Sequence, residues 1–232
     1  MKKNDILDER TLPLEQNQFY HIYNRGNNKT TLFYNPENYR YFLEKYVKYM
    51  AEYIDTFAYC LLPNHFHFLI KVKSISDLPD LKGQLTKEKE PQLAKSQRLG
   101  KFKPINDNKN NDISKMISNQ FRLLFMSYAK AINKQENLKG SLFQKIFRRK
   151  RIDDSDYLHR LVGYIHKNPL HHNIFNSIEK YRFSSYSDLI SNKPTFLKRD
   201  EVMDWFGDKN DFIESHKAVE NLIIDNKYWM EE

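Results

Sequence analysis

Cysteine is almost missing from this chain of 232 residues: Cys60 stands alone, so no intrachain disulfide can form. Its neighbours, Phe57-Ala58-Tyr59 and Leu61-Leu62, are apolar, which suits a small buried hydrophobe better than a reactive thiol. Long hydrophobic runs are missing too. No segment approaches the ~20 apolar residues of a membrane span, and the first ten residues, MKKNDILDER, are charged where a secretory leader would be apolar. A cytoplasmic protein with no membrane partner is the expectation. No internal repeat is found. What is present is positive charge together with rings: 38 Lys and Arg against 30 Asp and Glu, a formal charge of +8, 15 Tyr and 16 Phe. Cations suit phosphates and rings suit unpaired bases. Lys-rich solvated faces produce the same balance, so composition alone leaves nucleic-acid binding as one of two readings. With 40% hydrophobic residues, the length allows one sizeable domain, or a domain with a small appendage.

Residues 18 to 24, rich in β-formers, read as a strand that ends at Arg25-Gly26-Asn27-Asn28. Pro36 opens a helix of about 15 residues with Tyr39, Phe42, Leu43, Tyr46, Val47 and Met50 at helical spacing. Strands follow over 54 to 62 and 66 to 72, joined by Pro63-Asn64. The order β-α-β-β is part of a ferredoxin-like pattern. Between about 75 and 111 periodicity is lost in a polar, Lys-rich insertion or long loop. A helix resumes near Asp112, with Ile113, Met116, Ile117, Gln120, Leu124, Ser127, Tyr128 and Ala131 on one stripe. Residues 141 to 152 read as a fourth strand ending in the densest cation cluster of the chain, Arg148, Arg149, Lys150 and Arg151: either a solvated strand end or a phosphate-contacting ridge. A helix begins at Asp153-Asp154-Ser155-Asp156, where acidic and hydroxyl side chains cap free amides. It is expected to end near Asn168, because Pro169 disfavours α geometry in the residue before it. From about Pro194, Val202, Trp205 and Phe206, then Phe212, Val219, Leu222 and Ile223, suggest two short helices.

Two patterns carry chemistry. His65 and His67 are two apart at the start of a strand and share one face, with Phe66, Phe68, Ile70 and Val72 on the other. Paired imidazoles on a sheet face suit a divalent metal, and a purely structural pair is the alternative. Lys71 lies on the histidine face by parity, as a candidate for charge stabilisation or a solvent-facing lysine. On the helix from Asp154, Tyr164 and Asn168 lie four apart on one flank with Tyr157, whereas His159 and His166 lie on the opposite flank. If Tyr164 faces a cleft lined by His65 and His67, Asn168 can reach the same metal and His166 points away. The alternative is a packing aromatic and a helix end.

These residues match a family. His65-Phe66-His67 after Pro63-Asn64 resembles the HUH motif (histidine, hydrophobic, histidine) of single-tyrosine transposases, and the segment 163 to 169, Gly-Tyr-Ile-His-Lys-Asn-Pro, resembles the one that carries their nucleophile. The likeness is nearest to REP-associated tyrosine transposases and transposase-like proteins. Segments 20 to 26, 142 to 147 and 181 to 186 add to it, in order, so the resemblance spans about residues 17 to 190. It implies an α+β, ferredoxin-like core with a central antiparallel sheet flanked by helices over 1 to 190, and leaves 191 to 232 as a small C-terminal helical appendage. It also implies cleavage and strand transfer on single-stranded DNA with hairpin ends. By position, Tyr164 is the nucleophile, His65, His67 and Asn168 are the ligands of Mg²⁺ or Mn²⁺, and Asn168 stands where relatives often carry glutamine or another polar residue. Arg148, Arg149, Lys150, Arg151 and Lys71 are the candidate DNA contacts. The expected partner is single-stranded DNA, for a protein acting as a monomer or homodimer, and the expected location is the cytoplasm, at the nucleoid in a prokaryote. Two rival readings are a non-catalytic nucleic-acid-binding relative and a metal-dependent phosphodiesterase in which water attacks.

Overall fold

The computed structural model describes residues 12–77 and 109–218. Most of the polar insertion expected at 75 to 111, and Val219, Leu222 and Ile223 of the last expected helix, lie outside the described residues. The chain runs β1 (Phe19–Arg25), α1 (Pro36–Met50), β2 (Ile54–Leu62), β3 (His65–Val72), α2 (Lys109–Gln135), β4 (Arg148–Ile152), α3 (Ser155–His171), α4 (Tyr186–Ile190), α5 (Arg199–Phe206) and α6 (Lys209–Ala218). One sheet has the order β2-β3-β1-β4, and every neighbouring pair is antiparallel. β1 and β2 are therefore parallel, with β3 inserted between them: the split βαβ arrangement of a ferredoxin-like fold.

Side-chain alternation divides the sheet into two faces with different work. Tyr20 and Ile22 of β1 and Phe66, Phe68 and Ile70 of β3 are all buried, on the face that α1 and α2 cover. Phe42 of α1 stands edge-on to Tyr128 of α2 at 5.0 Å, and Tyr46 stacks on Phe68 at 4.1 Å. The Tyr46 hydroxyl, which burial would otherwise leave stranded, hydrogen-bonds Thr56 Oγ1 at 2.8 Å. α1 starts where the sequence places it, because Asn35 caps it by accepting from Asn38 N at 3.0 Å and Pro36 needs no hydrogen-bond partner there. Cys60 is fully buried in this core.

Three boundaries differ from the sequence expectation. α2 begins at Lys109 rather than near Asp112, and its most buried stripe includes Phe121 and Ile132 beside Ile113, Ile117, Leu124 and Tyr128, while Met116, Gln120, Ser127 and Ala131 lie at its half-buried margins. β4 is only Arg148–Ile152, not 141 to 152: residues 141 to 147 meet the end of β1 through an isolated bridge of Phe143 with Gly26 instead of a continuous ladder, while Phe143 and Phe147 are buried against Phe125 of α2. α3 runs through Pro169 to His171 instead of stopping near Asn168. Proline's fixed φ is itself helical, residues 161 to 169 are buried throughout, and the carbonyl of Asn168 accepts from His172 N at 3.1 Å, so the last turn stays bonded.

The other face of the sheet carries α3, α5 and α6. The outer edge of β2 is covered rather than exposed: Leu61 N donates to Phe183 O at 2.9 Å, Ser185 N to Tyr59 O at 2.9 Å and Lys198 N to Thr56 O at 2.9 Å. α5 lays Trp205 on Phe57 with ring centroids 4.9 Å apart, and Phe212 of α6 is fully buried. The C-terminal helices thus pack directly on the core.

Phe68 is buried on the α1 face, in contact with Tyr46, Tyr59 and Phe66. Phe68→Ala is expected to lower unfolding free energy by about 3–5 kcal/mol, the range for deleting a buried phenylalanine, read from urea midpoints at constant slope.

Candidate active site between the sheet and helix α3

The antiparallel register of β1 with β3 sets Tyr23 opposite His67, Arg25 opposite His65 and His21 opposite Leu69. His21, Tyr23, His65 and His67 therefore share one face, and the three imidazoles are buried at 4%, 3% and 1% exposure for His21, His65 and His67. Polar rings buried this deeply need partners. His67 Nδ1 lies 2.9 Å from His21 Nε2. His65 Nδ1 lies 2.6 Å from Asn64 Oδ1. An amide oxygen can only accept, so His65 carries its proton on Nδ1 and its lone pair, when neutral, on Nε2. Asn64 is itself held in place: its carbonyl accepts from Gly26 N at 2.7 Å, and the neighbouring Pro63 carbonyl accepts from Leu32 N and Phe33 N.

α3 crosses this face. Asp154 caps it by accepting from Asp156 N at 2.9 Å. Tyr164, 6% exposed, presents its ring nearly perpendicular to His67 at 5.8 Å and to His21 at 6.1 Å. Two turns later His172 meets His65, with ring centroids 4.7 Å apart. Residues 164, 168 and 172 follow at helical steps of four, so Asn168 occupies the turn between the one that meets His67 and the one that meets His65. Its Nδ2 donates to Tyr164 O at 3.0 Å, and its Oδ1 is buried and accepts no hydrogen bond among the described residues. The four expected residues His65, His67, Tyr164 and Asn168 are thus gathered at one place. Among the described residues no three His, Cys, Asp or Glu side chains come together as a potential metal site, so the donor set on offer is two imidazoles and an amide. Both imidazoles use Nδ1 for their neighbours, so Nε2 is the nitrogen each could offer a metal, and Asn168 Oδ1 is of the hard donor type that suits Mg²⁺ or Mn²⁺.

Sequence reasoning missed His21, Asn64, His171 and His172. Alternation marks His21 and Tyr23 as sharing a face of β1, but nothing local says that β1 pairs with β3. His171 stands 6.2 Å from the Tyr164 ring; burial foremost, then Lys167 and His172, lower its pKa.

His166 lies on the opposite flank, in a buried chain. The Phe212 carbonyl accepts from His216 Nδ1 at 2.7 Å, so His216 Nε2 accepts from His166 Nδ1 at 2.8 Å, and His166 Nε2 accepts from the Ser185 hydroxyl at 2.7 Å. With both rings neutral, each contact along this chain has one donor and one acceptor. Burial first, and then His216, holds His166 well below the usual imidazole range. Burial likewise pushes His216 down to about 4, opposed by the Phe212 carbonyl and aided by Lys167.

Alternation also sorts the cation cluster of β4. Arg148 pairs with Tyr23 and Lys150 with His21, which puts these two on the histidine face; Lys150 Nζ lies 5.8 Å from the Tyr157 ring of α3. Arg149 and Arg151 pair with Ile22 and Tyr20 on the other face. Arg149 is buried against Phe147 and donates to Ser118 Oγ at 2.9 Å, and burial lowers its guanidinium to about 10. Arg151 is gripped by Glu15 at 2.7 Å and Asp153 at 2.6 Å. Lys71 shares the histidine face but stands four residues along β3 from His67, about 13 Å at the strand rise, with its ammonium over the Phe19 ring at 5.3 Å.

Fold and site together define a class: a ferredoxin-like α+β domain whose β3 carries His-hydrophobic-His beneath a tyrosine-bearing helix. No protein-family model and no curated protein matches the chain. The chain is similar to a solved structure, that of a REP-associated tyrosine transposase bound to a REP hairpin, at 16% identity and a TM-score of 0.48, over 84% of this chain and 89% of that one. A likeness of that size assigns no activity. Among the described residues no helix is long and apolar enough to cross a membrane.

The buried pair His166 and His216 makes stability depend on pH. Both are neutral when folded and take up a proton more readily when unfolded, so the unfolded chain binds more protons between the ordinary imidazole value of 6.5 and the lowered value of about 4 for His216. Stability is complete above the unfolded value and falls as pH drops through that window. Urea midpoints across the window are expected to decline toward acid in the native chain and less steeply in His216→Phe. Equal slopes in the two proteins would show that the pair does not titrate on unfolding.

Proposed function

We propose that this chain is a metal-dependent single-stranded DNA endonuclease and strand transferase that works through a tyrosine nucleophile in DNA transposition. The observation that carries the reading is Tyr164 set across the buried His67 and His21 rings, with Asn168 and its buried Oδ1 on the next turn. His65 and His67 through Nε2, with Asn168 through Oδ1, would hold Mg²⁺ or Mn²⁺, which when bound polarises a phosphate and offsets negative charge developing on it.

In this mechanism the Tyr164 phenolate oxygen attacks the scissile phosphorus. A bond from tyrosine oxygen to phosphorus forms, the bond from phosphorus to the 3′ oxygen breaks, and the leaving oxygen takes up a proton to become a 3′-hydroxyl. The product is a 5′-phosphotyrosine whose bond energy serves rejoining to another strand when a 3′-hydroxyl attacks in turn, so no ATP is consumed. Tyr164 lies in the stretch of its helix that is buried from residue 161 to residue 169, which limits the motion of the nucleophile and favours one angle of attack. In this reading Tyr164 works with histidines of its own chain, in a monomer or a homodimer alike. Arg148 and Lys150 flank the histidine face and are the cations best placed for phosphates of the strand. The substrate is single-stranded DNA with hairpin ends, and the setting is the cytoplasm of a prokaryote, at the nucleoid.

The deciding experiment incubates the protein with end-labelled hairpin DNA and Mn²⁺ and resolves covalent complexes on denaturing gels. A protein–DNA adduct is expected in the native chain and none in Tyr164→Phe or with chelator. Cleavage undiminished in Tyr164→Phe would mean that water attacks, and binding without any cleavage would mark a non-catalytic DNA-binding protein.

Salt dependence tests the two cations. Each phosphate contact to a single strand contributes about 0.7 to the slope of log affinity against log salt. Arg148→Ala and Lys150→Ala are each expected to lower the slope by about that amount, whereas Arg151→Ala, already paired with Glu15 and Asp153, leaves it unchanged. Fluorescence anisotropy over a range of salt concentrations reads the difference.

A further inference from the structure

We infer that His21 is a positioning residue for His67: it accepts the Nδ1 proton of His67, fixes that ring's tautomer and rotation, and so presents Nε2 as a lone pair to the metal. The inference rests on the metal site proposed above, and it assigns a role to a residue outside the expected ligand set.

Three observations carry it. First, His67 Nδ1 and His21 Nε2 are 2.9 Å apart, both rings are almost fully buried, and the ring centroids are 5.1 Å apart, as for two imidazoles joined edge to edge through one N–H···N bond. Second, Tyr23 lies against both: its ring is stacked on His21 at 5.0 Å and on His67 at 5.8 Å, so one aromatic face restrains the rotation of the two imidazoles together. Third, the bond uses the His67 nitrogen remote from the proposed metal. The two lone-pair directions of an imidazole diverge, and a ring whose Nε2 is aimed at His67 Nδ1 cannot aim that nitrogen at an ion bound on the far side of His67. His21 is therefore not a third imidazole ligand, in keeping with the absence of a three-residue His, Cys, Asp or Glu cluster among the described residues.

A hydrogen bond has one proton, so only two arrangements exist. If His21 donated, His67 would accept at Nδ1 and a neutral His67 would carry its hydrogen on Nε2, which blocks metal binding. If His67 donates, Nε2 holds a lone pair. The parallel with His65 supports the second arrangement, since Asn64 Oδ1 can only accept and already sets His65 to the same tautomer. Both imidazoles then have an acceptor behind Nδ1, the device by which metal-ligating histidines are oriented and their basicity raised.

The test joins two measurements on the full chain. Long-range ¹H–¹⁵N spectra of the histidine rings report the tautomer, and Mn²⁺ titration followed by electron paramagnetic resonance reports affinity without DNA or turnover. In the native chain His67 is expected as the Nδ1–H form. His21→Phe, which keeps a ring but has no acceptor, is expected to lose that preference and to bind Mn²⁺ about 10–100-fold more weakly, the usual effect of removing such an acceptor. His21→Gln, whose carbonyl can accept, is expected to retain the tautomer and more of the affinity, and it decides the matter should His21→Phe fail to fold. Native His67 protonated at Nε2, or His21→Phe with native Mn²⁺ affinity, would overturn the proposal. A native chain that holds His67 as Nδ1–H yet takes up no Mn²⁺ would overturn the metal reading of the preceding subsection while leaving the hold of His21 on His67 standing.

Discussion

The register of β1 against β3 is the constraint on which the molecule depends. A strand repeats every two residues, so one register determines which side chains of both strands meet on each face, and a slip by one would exchange the faces. In the register observed, Tyr20 and Ile22 join Phe66, Phe68 and Ile70 under α1 and α2, while His21 and Tyr23 join His65 and His67 under α3. The apolar set makes the alternative costly: slipping β3 would bring Phe66 and Phe68 out of a core where they touch Phe42 and Tyr46. Hydrophobic packing on one side of the sheet thus holds the polar constellation on the other.

A second consequence concerns α3. A helix laid over a polar sheet face cannot be held by a plain apolar stripe, and this one is buried on nearly all sides from residue 161 to residue 169, polar residues included. Its far flank is satisfied by the chain from Ser185 through His166 and His216 to the Phe212 carbonyl, which belongs to α6 and to the segment covering β2. Tyr164 is therefore positioned by contacts on both flanks, and the C-terminal helices are part of what holds α3 in place.

The elements that sequence periodicity identified well are those whose burial is local and regular. α1, β2 and β3 have alternating or helical apolar patterns and clear breaks, and they start and end within a residue of the expectation. Where the pattern was read wrongly, a tertiary demand had overridden it. Residues 141 to 147 look like strand because they are apolar and aromatic, yet they pair with the sheet only through the bridge of Phe143 with Gly26 while Leu142, Phe143 and Phe147 fill the core. Pro169 looks like a helix end, yet it lies within a buried turn that its own ring geometry permits.

For the site, the sequence alone determined what spacing can determine: that His65 and His67 share a strand face, that Tyr164 and Asn168 share a helix flank away from His166, and that residue types suited to metal and nucleophile chemistry are present. These are relations within one element, and the periods of 2.0 and 3.6 suffice for them. Only the tertiary structure decided which elements meet. It brought β1 beside β3 and so joined His21 to His67, it brought the end of α3 over the start of β3 and so joined His172 to His65, and it divided four consecutive cations into Arg148 and Lys150 on the site face and Arg149 and Arg151 on the other. The reason is physical. Pairing between distant segments is settled by the packing of the whole core, and no local period encodes it.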